Sequence, residues 1–288
     1  MLRTALLVAG KDLRQRLRDR SALVIAFVAP FALAEGYAAE LAATRLAVAT
    51  ALDAAGRPPT AAEARRLGER AATGRLPVRL VEGRVGGRSI EAANYFGPSM
   101  AIFFLFFTVS FGARSLLAER RQGTLRRLLA TAAPPGGVLA GKALAAFALG
   151  TASVLVMWLA TTLVFGVDWG DPEAALLLVT VFALVGTGVG MLLGAVLRNA
   201  EQATSIGPPV GIALGMLGGC MWPLAIVPEP MRVVGHLFPQ AWAMDAFIAL
   251  IAKDAGLAGI ARQLAVLAAF TAALLVLATW RLRKALVG

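Results

Sequence analysis

The run Gly136-Gly137-Val138-Leu139-Ala140-Gly141-Lys142-Ala143 is where residue types and spacing come nearest to chemistry. A phosphate-cradling loop reads Gly, four residues, Gly, Lys and then Ser or Thr, whose hydroxyl holds magnesium. Ala143 has no hydroxyl, no buried strand precedes the run, and a long apolar stretch follows it. The expectation is that this chain binds no nucleotide itself. Cys220 and His236 are the one cysteine and the one histidine, which excludes an intrachain disulfide and a cysteine cluster and leaves no histidine-based metal site. Paired carboxylates, a Ser/His/Asp set and an HExxH helix are missing from the apolar stretches, which disfavours an intramembrane hydrolase. No catalytic residue and no metal ligand is therefore assigned. Glu35 is an acid within a membrane segment and a functional candidate on that ground, although its place at the outer end of that segment favours an interfacial role. His236 lacks convergent partners in the sequence and reads as structural or interfacial.

The elements that would carry any function are membrane helices. Of 288 residues, 58% are hydrophobic and 16% charged, with a mean hydropathy of +0.73, whereas a soluble domain is roughly half apolar and a quarter charged. The net charge of +11 does not point to nucleic acid, because the Lys and Arg residues sit between apolar blocks and not with stacking aromatics on one face. Such placement fits membrane topology and lipid headgroups. A hydrocarbon core of about 30 Å needs about 20 helical residues. Five uncharged runs meet that: Ala92 to Ala113, Ala143 to Val167, Ala174 to Leu197, Gln202 to Pro228 and Gln263 to Trp280. Ser21 to Leu41, with Pro30 inside, makes a sixth span. The fold class expected is an all-α polytopic membrane protein of six transmembrane helices.

Residues 1–20 place Lys11, Arg14, Arg16, Arg18 and Arg20 among Leu6, Leu7, Leu13 and Leu17, the pattern of an interfacial amphipathic helix. With 21–41 as the first transmembrane helix, the positive-inside rule puts the N-terminus in the cytoplasm, and six spans return Arg281, Arg283 and Lys284 to the same side. The acidic turn Asp168 to Glu173 then falls outside. Residues 42–91 form a small extracytoplasmic segment. There Thr60-Ala61-Ala62-Glu63 has capping-box spacing and Pro77 to Glu82 alternates like a short strand, so a small α/β cap and a solvated spacer both remain open. The remaining five spans occupy 92–288, with a cytoplasmic element at 119–135 and an outer element at 220–245. In the latter, Met221-Trp222-Pro223, Pro228-Glu229-Pro230 and Phe238 to Trp242 give proline-broken pieces too short to span, which predicts short re-entrant helices.

Two glycine ladders stand out. Gly186, Gly190 and Gly194 recur every four residues, as do Gly207, Gly211, Gly215 and Gly219, so each set lines one helical face where backbones approach closely. Packing of the fourth span on the fifth, a protomer interface and a moving seam all fit. Phe96, Met100, Phe103, Phe107 and Phe111 form a stripe on the second span. It faces lipid or a neighbouring helix, or with the second ladder it lines a translocation path or protomer interface.

The most informative segment is Glu119-Arg120-Arg121-Gln122-Gly123-Thr124-Leu125-Arg126-Arg127-Leu128-Leu129, followed by Ala133-Pro134-Pro135. A charged patch gives way to Gly-Thr, a short leucine-bearing helix and a proline stop, which is what a membrane subunit offers to a soluble partner's groove. This arrangement resembles the permease subunits of the ABC-2 type transporter family, in which a coupling element joins the second and third spans. Glu119, Arg120, Gly123, Thr124, Leu125 and Pro134 match its pattern, while Arg121 and Arg126 stand at positions often acidic in the family. The resemblance extends over nearly the whole chain.

The resemblance implies a permease without catalytic residues of its own, in the plasma (inner) membrane with both termini cytoplasmic. It would pair with a second permease protomer, identical or related, and contact membrane lipid and no nucleic acid. A separate ABC ATPase subunit would carry ATP and magnesium and push on Glu119, Arg120, Arg121, Gly123, Thr124, Leu125, Arg126, Leu128 and Leu129 to drive export of a drug, antibiotic, lipid or glycan. A stand-alone ion-coupled carrier and a non-transporting assembly factor held by the glycine ladders are the competing readings. The carrier is disfavoured because the five strong spans hold no mid-membrane charge.

Overall fold

A computed structural model describes residues 2–18, 92–123, 134–197 and 199–287. The predicted first span 21–41 with Glu35, the outer segment 42–91 with its expected helix and strand, and the elbow residues Thr124, Leu125, Arg126, Leu128 and Leu129 lie outside the described residues. Among those described there are eight α-helices, two short 3-10 turns and no strand.

Local chemistry sets most boundaries. Helix α1 is Leu2–Arg18 and α2 is Ala92–Arg121. Helix α2 stops where Gly123 takes a φ of +70°, the left-handed turn that glycine adopts without penalty just past a helix end. Helix α3, Pro135–Phe165, begins with proline at its first position and ends at Gly166, φ +64°. Helix α4, Pro172–Val196, is capped by Asp171, whose side chain accepts from the Ala174 N–H at 2.9 Å. Helix α5, Ala200–Leu217, is capped by Asn199 through the Gln202 N–H at 2.7 Å. These caps satisfy N–H groups that a helix start leaves unpaired. Helices α6 (Glu229–Gly235), α7 (Pro239–Lys253) and α8 (Ala261–Val287) complete the order.

Three described helical stretches are long and apolar enough to cross a bilayer: Gly136–Val164, Pro172–Val196 and Leu257–Leu282. The pair α6 and α7, bent by 104°, raises the number to four if it is one broken span. The region expected to finish the fifth span differs. Helix α5 stops at Leu217, and Gly219 turns the chain with φ +81°. The Tyr95 hydroxyl donates to the Gly219 carbonyl, tying the start of α2 to this turn.

Helix α2 sits centrally, packed against α3, α4 and α5, while α8 packs on α4 and α1 on α3. The main core joins Met100, Phe103 and Leu105 of α2 to Leu178, Phe182 and Val185 of α4 and to Met244, Phe247 and Leu250 of α7. At the end away from α1, Trp169 is buried, donates from Nε1 to Thr161 Oγ1 at 3.1 Å and meets Phe247 edge to face at 5.4 Å.

Candidate functional site

The site is assembled where α1, the end of α2 and the start of α3 converge. Helix α1 presents Ala5, Val8, Ala9 and Asp12 inward and leaves Leu2, Leu6 and Leu7 exposed, an amphipathic division whose leucines suit a membrane interface. Close approach to α3 depends on Gly141, because a Cβ there would lie 2.7 Å from the Val8 side chain.

That approach brings four charges together. Lys142 Nζ lies 3.0 Å from Asp12 Oδ2 and 2.5 Å from Glu119 Oε2, and Lys11 Nζ reaches Glu119 Oε1 at 3.3 Å. The Lys142 and Asp12 side chains are 5% and 2% exposed. Burial alone would raise the Glu119 carboxyl, but the hydrogen bond and charge of Lys142, with those of Lys11, hold it below the usual 4.5. Asp12 Oδ1 has no hydrogen-bond partner among the described residues. A buried ion pair of this kind seldom adds much net stability, yet removing one partner leaves an uncompensated charge. What it provides is registry: three distant segments must meet in one arrangement.

The sequence-derived residues divide accordingly. The phosphate-loop look-alike is the first two turns of α3, and the Lys142 ammonium is engaged by two carboxylates. Glu119 is turned inward to that ammonium. Arg121 is exposed and lies 3.9 Å from Glu201 at the start of α5, a contact between solvated groups that contributes little. Arg120 lies within α2, its side chain outside the described set. Gly123 occupies the left-handed turn immediately before the undescribed elbow. Sequence reasoning missed Asp12 and Lys142 as a pair. The available signal was a lone acid in register with Ala5, Val8 and Ala9 on an otherwise basic helix.

The second group of candidates is partly brought together. Helix α5 packs on α2, with Gly207, Gly211 and Gly215 buried, and a Cβ on Gly215 would collide with the Phe103 ring. Gly219 lies beyond the helix in the turn and packs on Leu224. Phe107 and Phe111 continue α2, with side chains outside the described set. On the other ladder's helix, Gly188 meets Leu274 of α8. Gly215 of α5 therefore serves its seam with α2, while Ile206, Val210 and Ile212 on the same helix stay exposed.

His236 does have convergent partners. Its Nε2 lies 2.7 Å from Asp245 Oδ2, its Nδ1 2.7 Å from the Arg232 carbonyl, and its own carbonyl accepts from Trp242 Nε1 at 2.8 Å. Burial lowers its affinity for a proton, but the Arg232 carbonyl and the Asp245 carboxylate outweigh that and raise the imidazole above 6.5. The arrangement fastens the bend between α6 and α7, and no His, Cys, Asp or Glu group suited to a metal ion occurs among the described residues.

Comparison with known proteins agrees with this architecture. Residues 75–280 match the family described as ABC-2 family transporter protein. The linearmycin resistance permease protein LnrN of Bacillus subtilis (strain 168) is 32% identical over 193 residues, 67% of this chain and 50% of that protein. ABC transporter G family member 20 of Dictyostelium discoideum is 25% identical over 184 residues, 63% of this chain and 25% of that protein. The chain thus covers half of the first relative's length and a quarter of the second's. From the extent of the family match, the chain belongs to the ABC-2 family of transporter proteins.

Proposed function

We propose that this chain is the membrane-spanning permease subunit of an exporter driven by a separate ABC ATPase, which carries the ATP and magnesium. Six spans place α1, the elbow and the C-terminus on the cytoplasmic side of the plasma membrane, with α6 and α7 as outer re-entrant helices. The observation that carries the reading is the Asp12, Lys142 and Glu119 cluster, which ties α1 and the roots of α2 and α3 into one block behind the elbow. A push on residues 119–135 then moves two spans together, and the α2–α5 seam of Phe103 and Gly215 transmits it to the exposed face of α5. Ile206, Val210 and Ile212 on that face would meet a second permease protomer, and the translocation path lies beside it.

Among the described residues, the buried charges Asp12, Glu119 and Lys142 all lie at the α1 end, which suits an ATP-driven permease better than an ion-coupled carrier with ionisable residues at mid-membrane. Resistance, in the name of the Bacillus relative, favours outward movement of a drug, antibiotic, lipid or glycan of amphiphilic character.

Purification from the native cell in mild detergent tests the reading. A stoichiometric ATPase subunit is expected, with substrate-stimulated hydrolysis that Gly123→Pro and Leu125→Asp abolish while the chain stays inserted. Reproducible absence of an ATPase, or unchanged coupling in both variants, overturns it.

A further inference from the structure

A cavity of about 410 Å³ opens between α3, α4 and α8, within the roughly 300–1,000 Å³ typical of ligand sites. Along α3 its wall runs from Gly136 to Phe147, a rise of about 16 Å. That is close to half of the ~30 Å hydrocarbon core, so the cleft matches the depth of one leaflet. It lies at the α1 end of the bundle, because it is lined by the first half of α3, the second half of α4 and the later turns of α8.

The lining decides what enters. Thr187 and Thr279 are its polar side chains, and both hydroxyls are engaged within their own helices. Thr187 Oγ1 donates to the Ala183 carbonyl and Thr279 Oγ1 to the Leu275 carbonyl, each at 2.8 Å. Leu144, Phe147, Leu184 and Met191 make much of the remaining wall. A polar ligand group would be left unpaired there, whereas hydrocarbon loses nothing. Beside the cleft, Val276, Leu277 and Trp280 of α8 are exposed, and tryptophan favours the membrane–water boundary. The Arg281 guanidinium lies 5.5 Å over the Trp280 ring, placing a positive charge at that level.

We propose that this cleft holds an acyl chain of an anionic phospholipid from the leaflet on the α1 side, with the headgroup phosphate at Arg281. Within a bilayer an apolar groove gains no hydrophobic advantage over bulk lipid, so retention comes from packing along the chain and from charge at the headgroup. The inference rests on the membrane placement proposed above and not on ATP-driven export.

The full chain, with whatever subunit co-purifies, is reconstituted without nucleotide in nanodiscs of equal phosphatidylcholine and phosphatidylglycerol containing a phosphatidylglycerol with a photoreactive tail. Crosslinked peptides are then mapped by mass spectrometry. Labelling is expected to concentrate on 136–147, 184–191 and 275–279. Ala140→Trp and Leu144→Trp, which fill the cleft, should reduce it several-fold. Leu159→Trp, on an exposed part of α3 outside the cleft, should leave it unchanged. Arg281→Gln should remove the preference over a phosphatidylcholine probe. Uniform labelling of all lipid-facing helices, or labelling indifferent to both cleft variants, would each overturn the proposal. Because no ATPase is assayed, such a failure leaves the transport reading standing.

Discussion

Lys142 and Asp12, separated by 130 positions, meet at 3.0 Å in the buried contact between α3 and α1, and the same ammonium reaches Glu119 of α2. One side chain thereby ties together three segments.

Lys142→Met should destabilise the protein by about 3–5 kcal/mol, since it strands the buried Asp12 carboxylate and leaves Glu119 with Lys11 alone. The variant Asp12→Asn, Glu119→Gln, Lys142→Met, which removes the three buried charges and leaves the half-exposed Lys11, should recover much of that loss. Thermal unfolding in detergent checks both, and equal losses in the two variants would mean that packing, not charge, holds the junction. Because Glu119 has a lowered folded value, its contribution is complete above 4.5 and disappears as pH falls through that lowered value.

His236 carries the opposite sign. Its folded value is raised, so its contribution to the α6–α7 bend is complete below 6.5 and is lost as pH rises through the raised value. Hydrogen-exchange protection around residues 232–245, corrected for the base catalysis that speeds every amide, should therefore fall on alkalinisation. In Asp245→Asn that pH dependence should shrink and shift to lower pH; an identical profile would remove the pair as its origin.

Gly215→Val should cost about 1–3 kcal/mol through overpacking against Phe103. Added to Phe103→Ala, it should cost markedly less, and a double-mutant cycle in thermal stability measures the coupling. Strict additivity would show that the two residues do not share the α2–α5 seam.

Gln240 is buried at the start of α7, and neither amide atom has a hydrogen-bond partner among the described residues. Gln240→Met should be neutral or stabilising by about 1–3 kcal/mol, because the unmet polar group is removed at similar volume. A lowered melting temperature would point to an unseen polar partner.

Much of the helical frame was legible in the sequence because local rules write it. The spans within α3, α4 and α8 announced themselves by length and apolarity, and the acidic turn Asp168 to Glu173 marked the break between α3 and α4. Gly123 was singled out as part of the elbow, and its φ of +70° is the left-handed conformation that glycine adopts cheaply. The charge cluster was not, since Lys142 reads locally as part of a near-miss phosphate loop and its partners lie on two other helices. His236 looked alone for a similar reason: Asp245 comes within reach only across a 104° bend. The fifth span was drawn on to Pro228 because no charge interrupts the run from Gln202, whereas the helix ends at Leu217, before the Gly218-Gly219 turn held by Tyr95.

The clasp between α1 and α3 also sets an order of events during synthesis. Asp12 leaves the ribosome about 130 residues before Lys142, an interval on the order of ten seconds at roughly 5–20 residues per second. Through that interval its carboxylate lacks the ammonium it pairs with in the fold, and α1 lacks the helix it packs against. Only when the start of α3 emerges can that charge be buried against Lys142, so seating of α1 is a late event reporting that α3 has arrived.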